Sequence, residues 1–114
     1  MDCIFCNIIN KTMSANIVYE DEYVMAFDDI KKESPVHILI VPKKHIKSLN
    51  DINEKNIEYI NRIFLAIPKI AKIVNIDITG YRVISNTGVD ANQAVKHLHF
   101  HLLGGKNLGN KIVS

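Results

Sequence analysis

The sequence predicts an α+β fold with a largely antiparallel sheet. Three observations carry that expectation. Two β-rich runs, NIVYE and EYVMAFDD, flank the polar turn Glu20-Asp21-Glu22 and read as a hairpin. Residues 53–75 place apolar side chains at spacings of 3 and 4, which puts one stripe on a helix. Further strand-like runs, VHILIVPKKH before that helix and YRVIS after it, make the order hairpin, strand, helix, strand, loop, strand.

Each element has a local reason. DCIFCNIINK predicts a short N-terminal helix capped by Asp2, with Ile4, Phe5, Ile8 and Ile9 on its apolar side. KKESP is a polar connection, and Pro42 marks either the end of the VHILIV strand or an unpaired edge. In the long helix the expected stripe is Ile57, Ile60, Phe64, Ile67, Ala71 and Val74, with Asn53 as N-cap. Pro68 removes one backbone donor and is expected to kink this helix without stopping it, because the stripe continues beyond it. The loop NTGVDANQA then leads into AVKHLHFHLLGG, taken as the last strand.

At 114 residues the chain predicts one domain, 1–114, and its 47% apolar content supplies an ordinary core. The net charge of +2 comes from scattered lysines with no basic run and no interleaved aromatics, which argues against a long nucleic acid as partner. Met1-Asp2 opens with an acid, and no apolar run approaches the roughly 20 residues that span a bilayer. The expectation is a soluble, cytoplasmic protein that does not enter membranes.

His97, His99 and His101 stand at every second position, with Leu98 and Phe100 between them. On a strand such residues share a face at roughly 6.6–6.8 Å intervals. Neighbouring pairs can clasp one ion, but the outer two lie some 13 Å apart, so one metal held by all three is disfavoured. The ladder is then a metal and substrate site combined, or simply a polar strand face. Cys3 and Cys6 form a C-x-x-C pair near the start. Structural zinc is almost always four-coordinate, so two cysteines need two histidines, and His45 with one triad member would complete Cys2His2. Inert buried thiols or a redox pair are the alternatives, although a redox pair normally follows a strand. Asp28-Asp29 at the end of the hairpin can cap a turn, bind a cation or accept hydroxyl hydrogen bonds. The Asn- and Gln-rich NTGVDANQA loop can present amide donors to an anion.

HLHFHLL resembles the histidine triad (HIT) signature of alternating His and apolar residues, and CIFCNII, VYEDEYVMAFDDI, HILIVPKKHI, YRVISNTG and NQAVKHLHFHLLGG fall in order at that family's spacing. The chain is most similar to the Hint-like branch of purine nucleoside phosphoramidases, of the zinc-bearing type. The resemblance implies a five-stranded antiparallel meander with one long helix and a short N-terminal helix, its sheet joined to a second copy in a homodimer. It implies hydrolysis of purine nucleoside 5'-phosphoramidates or adenylates through a nucleotidyl-histidine, releasing the nucleoside monophosphate, with no catalytic metal required. His99 resembles the nucleophile, His101 its phosphate-side partner, and His37 completes the histidine cluster. Asp29 falls at the ribose hydroxyls. Ile4, Phe5, Ile8, Phe27 and Ile30 fall at the base, with Asn86 and Gln93 beside the phosphate. Cys3, Cys6, His45 and His97 fall at the positions of one structural zinc per chain. The alternatives are a dinucleoside polyphosphate hydrolase and a nucleotide-binding or interaction module with little catalysis.

Two departures stand out. Where the branch carries Gly-Gln-Ser before the triad, this chain has Asn92-Gln93-Ala94, and Ala94 cannot offer a hydroxyl to the phosphate or leaving group. One lost neutral hydrogen bond costs on the order of 1 kcal/mol, or several-fold in rate if it acts in the transition state. The ending KNLGNKIVS also lacks the branch's aromatic-proline tail, which bears on leaving-group selectivity.

Overall fold

The computed structural model describes residues 3–110. Asp2, expected as a cap, and residues 111–114 lie outside them. Five strands form one antiparallel sheet: β1 (Ile17–Glu20), β2 (Val24–Asp28), β3 (Val36–Pro42), β4 (Tyr81–Ile84) and β5 (Phe100–Gly104), in the order β1-β2-β3-β5-β4. The turn at 21–23 is held by Asp21, whose Oδ1 accepts from the amides of Tyr23 and Val24. This fixes the hairpin register, which carries one irregularity between Ile17 and Tyr19.

The two sheet faces divide the protein. On one face Val24, Ala26, Ile38, Ile40, Phe100 and Leu102 pack with the long helix α2 (Ile57–Ile73). On the other, Met25, Phe27, Leu39 and Val41 pack with Phe5 and Ile8 of the short helix α1 (Ile4–Ile9). The alternation of β2 and β3 thus feeds two apolar layers, because the strands are covered on both sides.

Three local expectations need correction. The buried side of α2 is Ile60, Ile63, Ala66, Ile67, Ile70 and Ala71, whereas Ile57 and Phe64 are exposed. This helix is apolar over much of its circumference, so several phases satisfy the 3–4 spacing and only packing on the sheet selects one. Asn53 does not cap α2. Its Oδ1 accepts from the amides of Lys55 and Asn56 in a preceding turn, and α2 starts at Ile57. The helix does run through Pro68, which lies on the exposed side where the carbonyl it leaves unpaired can be solvated.

The third correction concerns the histidines. β5 begins at Phe100, so His97 and His99 lie in the irregular segment that leads into it. The amide of Leu98 donates to the Ile46 carbonyl (2.6 Å), holding this segment just beyond β3. The alternation nevertheless survives the loss of ladder geometry. Leu98, Phe100 and Leu102 enter the α2 core, and His97, His99 and His101 face the α1 side.

Candidate functional site

On the α1 side Phe5 stands edge-on to two of the triad rings, with centroids 5.8 Å from His97 and 5.1 Å from His99. It separates two polar clusters. Beyond His97 lie Cys3, Cys6 and His45. Beyond His99 lie His101, His37 and Asp29.

The first cluster brings together the four residues expected to hold zinc. Its ligand atoms all lie within 4.8 Å of one another. His97 Nδ1 is 3.1 Å from His45 Nδ1, 3.3 Å from Cys3 Sγ and 3.6 Å from Cys6 Sγ, and Cys6 Sγ is 3.3 Å from His45 Nδ1. A tetrahedral zinc, with Zn–N near 2.0–2.1 Å and Zn–S near 2.3 Å, separates its donors by roughly 3.3–3.8 Å. The spacing therefore fits. The tautomer fits as well: His97 Nε2–H donates to the Pro42 carbonyl (2.9 Å), which leaves the Nδ1 lone pair directed at the cluster. Burial holds His97 down at about 4, so the ring is neutral near pH 7, as a ligand must be. Burial, with the Cys3 hydrogen bond, pushes the Cys6 thiol up to about 11. Only a bound cation would draw off that proton at neutral pH. Cys3 caps α1, its Sγ accepting from the Cys6 amide (3.3 Å), so the C-x-x-C spacing wraps the first helical turn around the site.

The second cluster borders a cavity of about 820 Å³. Ile4, Phe5, Ile8, Phe27, Asp29, Ile30, His37, Asn86, His99 and His101, all named from the sequence, line it. So does Ala94. Gln93 does not: its Nε2 donates to the carbonyls of Lys47 (2.7 Å) and Val95 (3.1 Å), and its Oε1 accepts from the Gly88 amide (3.0 Å). Those bonds tie its amide to backbone, so in this structure Gln93 acts as a loop staple beside the cavity. Leu39, Ile84 and Leu103 were missed. Register places Leu39 and Ile84 opposite His101 and Leu103 opposite His37, so period-2 alternation could have found the two leucines. Met13, Ala15 and Asn16, on the link between α1 and β1, carry no sequence signal.

Hydrogen bonds assign the proton positions in this cluster. The Glu33 amide donates to His37 Nδ1 (3.0 Å), so the neutral His37 ring carries its proton on Nε2. That Nε2–H faces His101 Nδ1 (2.8 Å) and lies 3.4 Å from Asp29 Oδ2. Donation to His101 Nδ1 leaves the His101 proton on Nε2, where it can be offered to a ligand. His99 Nδ1–H donates to the His97 carbonyl (2.8 Å), which leaves a lone pair on Nε2. The ring that lines the cavity between Phe5 and His101 thereby presents an unprotonated Nε2, the form in which an imidazole can act as base or nucleophile. Asp29, His37 and His101 also bring ligand atoms within 4.8 Å of one another. With its Nδ1 lone pair engaged by the Glu33 amide, however, His37 has none on Nε2 for a metal. Asp29 Oδ1 accepts from the Lys31 amide (2.9 Å), which aims the carboxylate at the cavity rim.

Burial pushes the His101 imidazole down to about 4, and its neighbours His99 and His37 add to the shift against a smaller opposing pull from Asp29. Burial also lowers His37, with Asp29 and Glu33 opposing. Both rings are neutral in the fold where an unfolded chain would protonate them near 6.5. Below that pH the unfolded state binds more protons, so stability falls as the pH drops from 6.5 toward about 4. Urea midpoints should therefore be lower at pH 5 than at pH 7, and an equal or higher midpoint at pH 5 contradicts the assignment.

Known proteins resemble this chain in sequence and in fold. A family model described as scavenger mRNA decapping enzyme C-terminal binding matches residues 2–112. An uncharacterised HIT-like protein of Buchnera aphidicola is 50% identical over 105 residues, covering 92% of each chain. The purine nucleoside phosphoramidase of Escherichia coli K12 is 41% identical over 108 residues, covering 95% of this chain and 91% of the relative. Among solved structures, a HIT family hydrolase from Clostridium thermocellum superposes with a TM-score of 0.95 at 47% identity, over 98% of this chain and 97% of that one. A histidine triad protein from Clostridium difficile gives 0.93 at 51% identity, over 97% and 96%. The chain belongs to the histidine triad (HIT) family.

Proposed function

We propose that this protein is a purine nucleotide hydrolase that cleaves nucleoside 5'-phosphoramidates or adenylates through a nucleotidyl intermediate on His99. The observation that carries this reading is the His99 tautomer: Nδ1–H is committed to the His97 carbonyl, and Nε2 is left as a lone pair in the cavity wall. The name of the E. coli relative supports the substrate class.

The base packs among Ile4, Phe5, Ile8, Phe27 and Ile30, and the ribose hydroxyls donate to Asp29. His99 Nε2 attacks the α-phosphorus, a P–N bond to the ring forms, and the bond to the leaving amine breaks as that amine takes a proton from solvent. The phosphorylated ring is cationic, and the His97 carbonyl accepting from its Nδ1–H stabilises that charge. His101 Nε2–H and Asn86 donate to the phosphoryl oxygens. Water then attacks phosphorus, its proton passes to solvent, and neutral His99 is restored with release of the monophosphate. Ala94 contributes no hydroxyl to either step.

Cys3, Cys6, His45 and His97 would hold zinc, which supplies folding stability from a closed four-ligand site. A reducing, cytoplasmic setting suits these free thiols. A homodimer is supported by the open edge of β4 and by exposed Phe64 and Leu65 on α2. Native mass spectrometry should report two chains with one zinc each. In competition, adenosine phosphoramidate should outpace a diadenosine polyphosphate. The reverse order would move the chain to polyphosphate hydrolysis, and no turnover of either would leave a binding module.

A further inference from the structure

The nucleotide cavity has a side arm. A groove of about 440 Å³ shares Ile4, Ala94 and Val95 with it and carries Lys47 and Lys96 on its other walls, next to His45. Ala94 and Val95, which line both, belong to the segment that runs into His97 and His99, so the groove joins the cavity along the chain that carries these histidines. Asp28, Asp29 and Glu33 line the cavity but not the groove.

The groove is a built feature. Gln93 fastens its two sides together, its Nε2 donating to the carbonyls of Lys47 (2.7 Å) and Val95 (3.1 Å). Its charge is one-sided. Among the described residues no Asp or Glu lines it and neither lysine ammonium is in an ion pair, in contrast to Lys11 and Lys43, which both bind Glu20. Cys3 borders the groove from the metal cluster, where a bound divalent cation would cancel the charge of its thiolate. Ala94, at the junction, leaves the passage open and offers nothing polar to a leaving group.

We propose that this groove holds the substrate's leaving group, and that Lys47 and Lys96 select leaving groups bearing their own anionic group, a carboxylate or a phosphate. This rests on the phosphoramidase reading and specifies its substrate class. The anion sits near the two ammonium groups while the P–N bond breaks, and it departs with the amine.

The test uses the full chain and three adenosine 5'-phosphoramidates, made with glycine, with glycinamide and with 2-aminoethyl phosphate. The wild type should show a kcat/KM about three- to tenfold higher for at least one anionic substrate than for the glycinamide one, the scale of two exposed ion pairs. Whether the glycine or the aminoethyl phosphate substrate is favoured identifies the carboxylate or the phosphate as the group recognised. In the Lys47→Gln/Lys96→Gln double variant that preference should fall toward one, with the glycinamide rate unchanged. Equal rates for all three in the wild type, or a preference that survives both substitutions, overturns the groove assignment and leaves the phosphoramidase reading intact. No turnover of any of the three overturns both.

Discussion

Replacing His99 by Asn should lower kcat/KM on a nucleoside phosphoramidate by at least about a thousandfold, the scale of losing a covalent nucleophile. Nucleoside monophosphate binding should stay within about threefold, since phosphate and base contacts supply it and not the missing P–N bond. Asn is the appropriate replacement because its amide can still donate to the His97 carbonyl that now takes Nδ1–H. The bond between residue 99 and the His97 carbonyl is then preserved while the lone pair is removed. Calorimetric titration with the monophosphate separates the two effects. A variant that keeps more than about a tenth of wild-type turnover would place the nucleophile elsewhere. A variant that loses binding and turnover together would mean that His99 shapes the cavity.

The second large effect concerns stability. Cys6→Ser should reduce metal content from the one zinc per chain proposed above to a small fraction, because a hydroxyl is a poor zinc ligand beside a thiolate. The remaining donors are left crowded, with His97 Nδ1 3.1 Å from His45 Nδ1 and no cation between them. Structural zinc contributes folding free energy directly, and a loss of about 3 kcal/mol corresponds to a drop in Tm of roughly 10–15 °C for a chain of this size. Turnover should fall as well, through geometry. His97 binds the cluster through Nδ1, and its carbonyl orients the His99 ring. Loosening one residue loosens both. Elemental analysis and a thermal melt, repeated on the wild type after chelation, check this. Full zinc content in the variant, or an unchanged Tm after the metal is removed, would contradict it.

The same residues show how much of this was legible in the sequence. Alternation alone put His97, His99 and His101 on one face, and it held even though only His101 lies within a strand. The reason is that Leu98 and Phe100 are drawn into the core whatever the hydrogen-bond pattern of the backbone. The cysteine count pointed to His45 and one triad histidine as partners, and the fold brings these four together across more than 90 residues of chain. What the sequence left open is governed by packing. The choice of Ile63 over Phe64 for the buried side of α2 depends on the sheet it meets. The role of Gln93 depends on the Lys47 carbonyl, far away in sequence and invisible to any local pattern. The tautomers that separate His99 from His37 depend on single backbone groups, the His97 carbonyl and the Glu33 amide.

Those tautomers lead to the central claim, that His99 Nε2 becomes covalently bonded to phosphorus. Rapid mixing of wild-type protein with excess adenosine phosphoramidate, a quench in alkaline denaturant, which preserves a P–N bond that acid would hydrolyse, and mass spectrometry of the denatured chain tests this bond directly. A transient mass increase of one adenylyl group should appear, mapped to the peptide carrying His99 and absent from His99→Asn. Steady turnover with no adduct at any quench time would contradict it, and would assign the hydrolysis to direct attack by water.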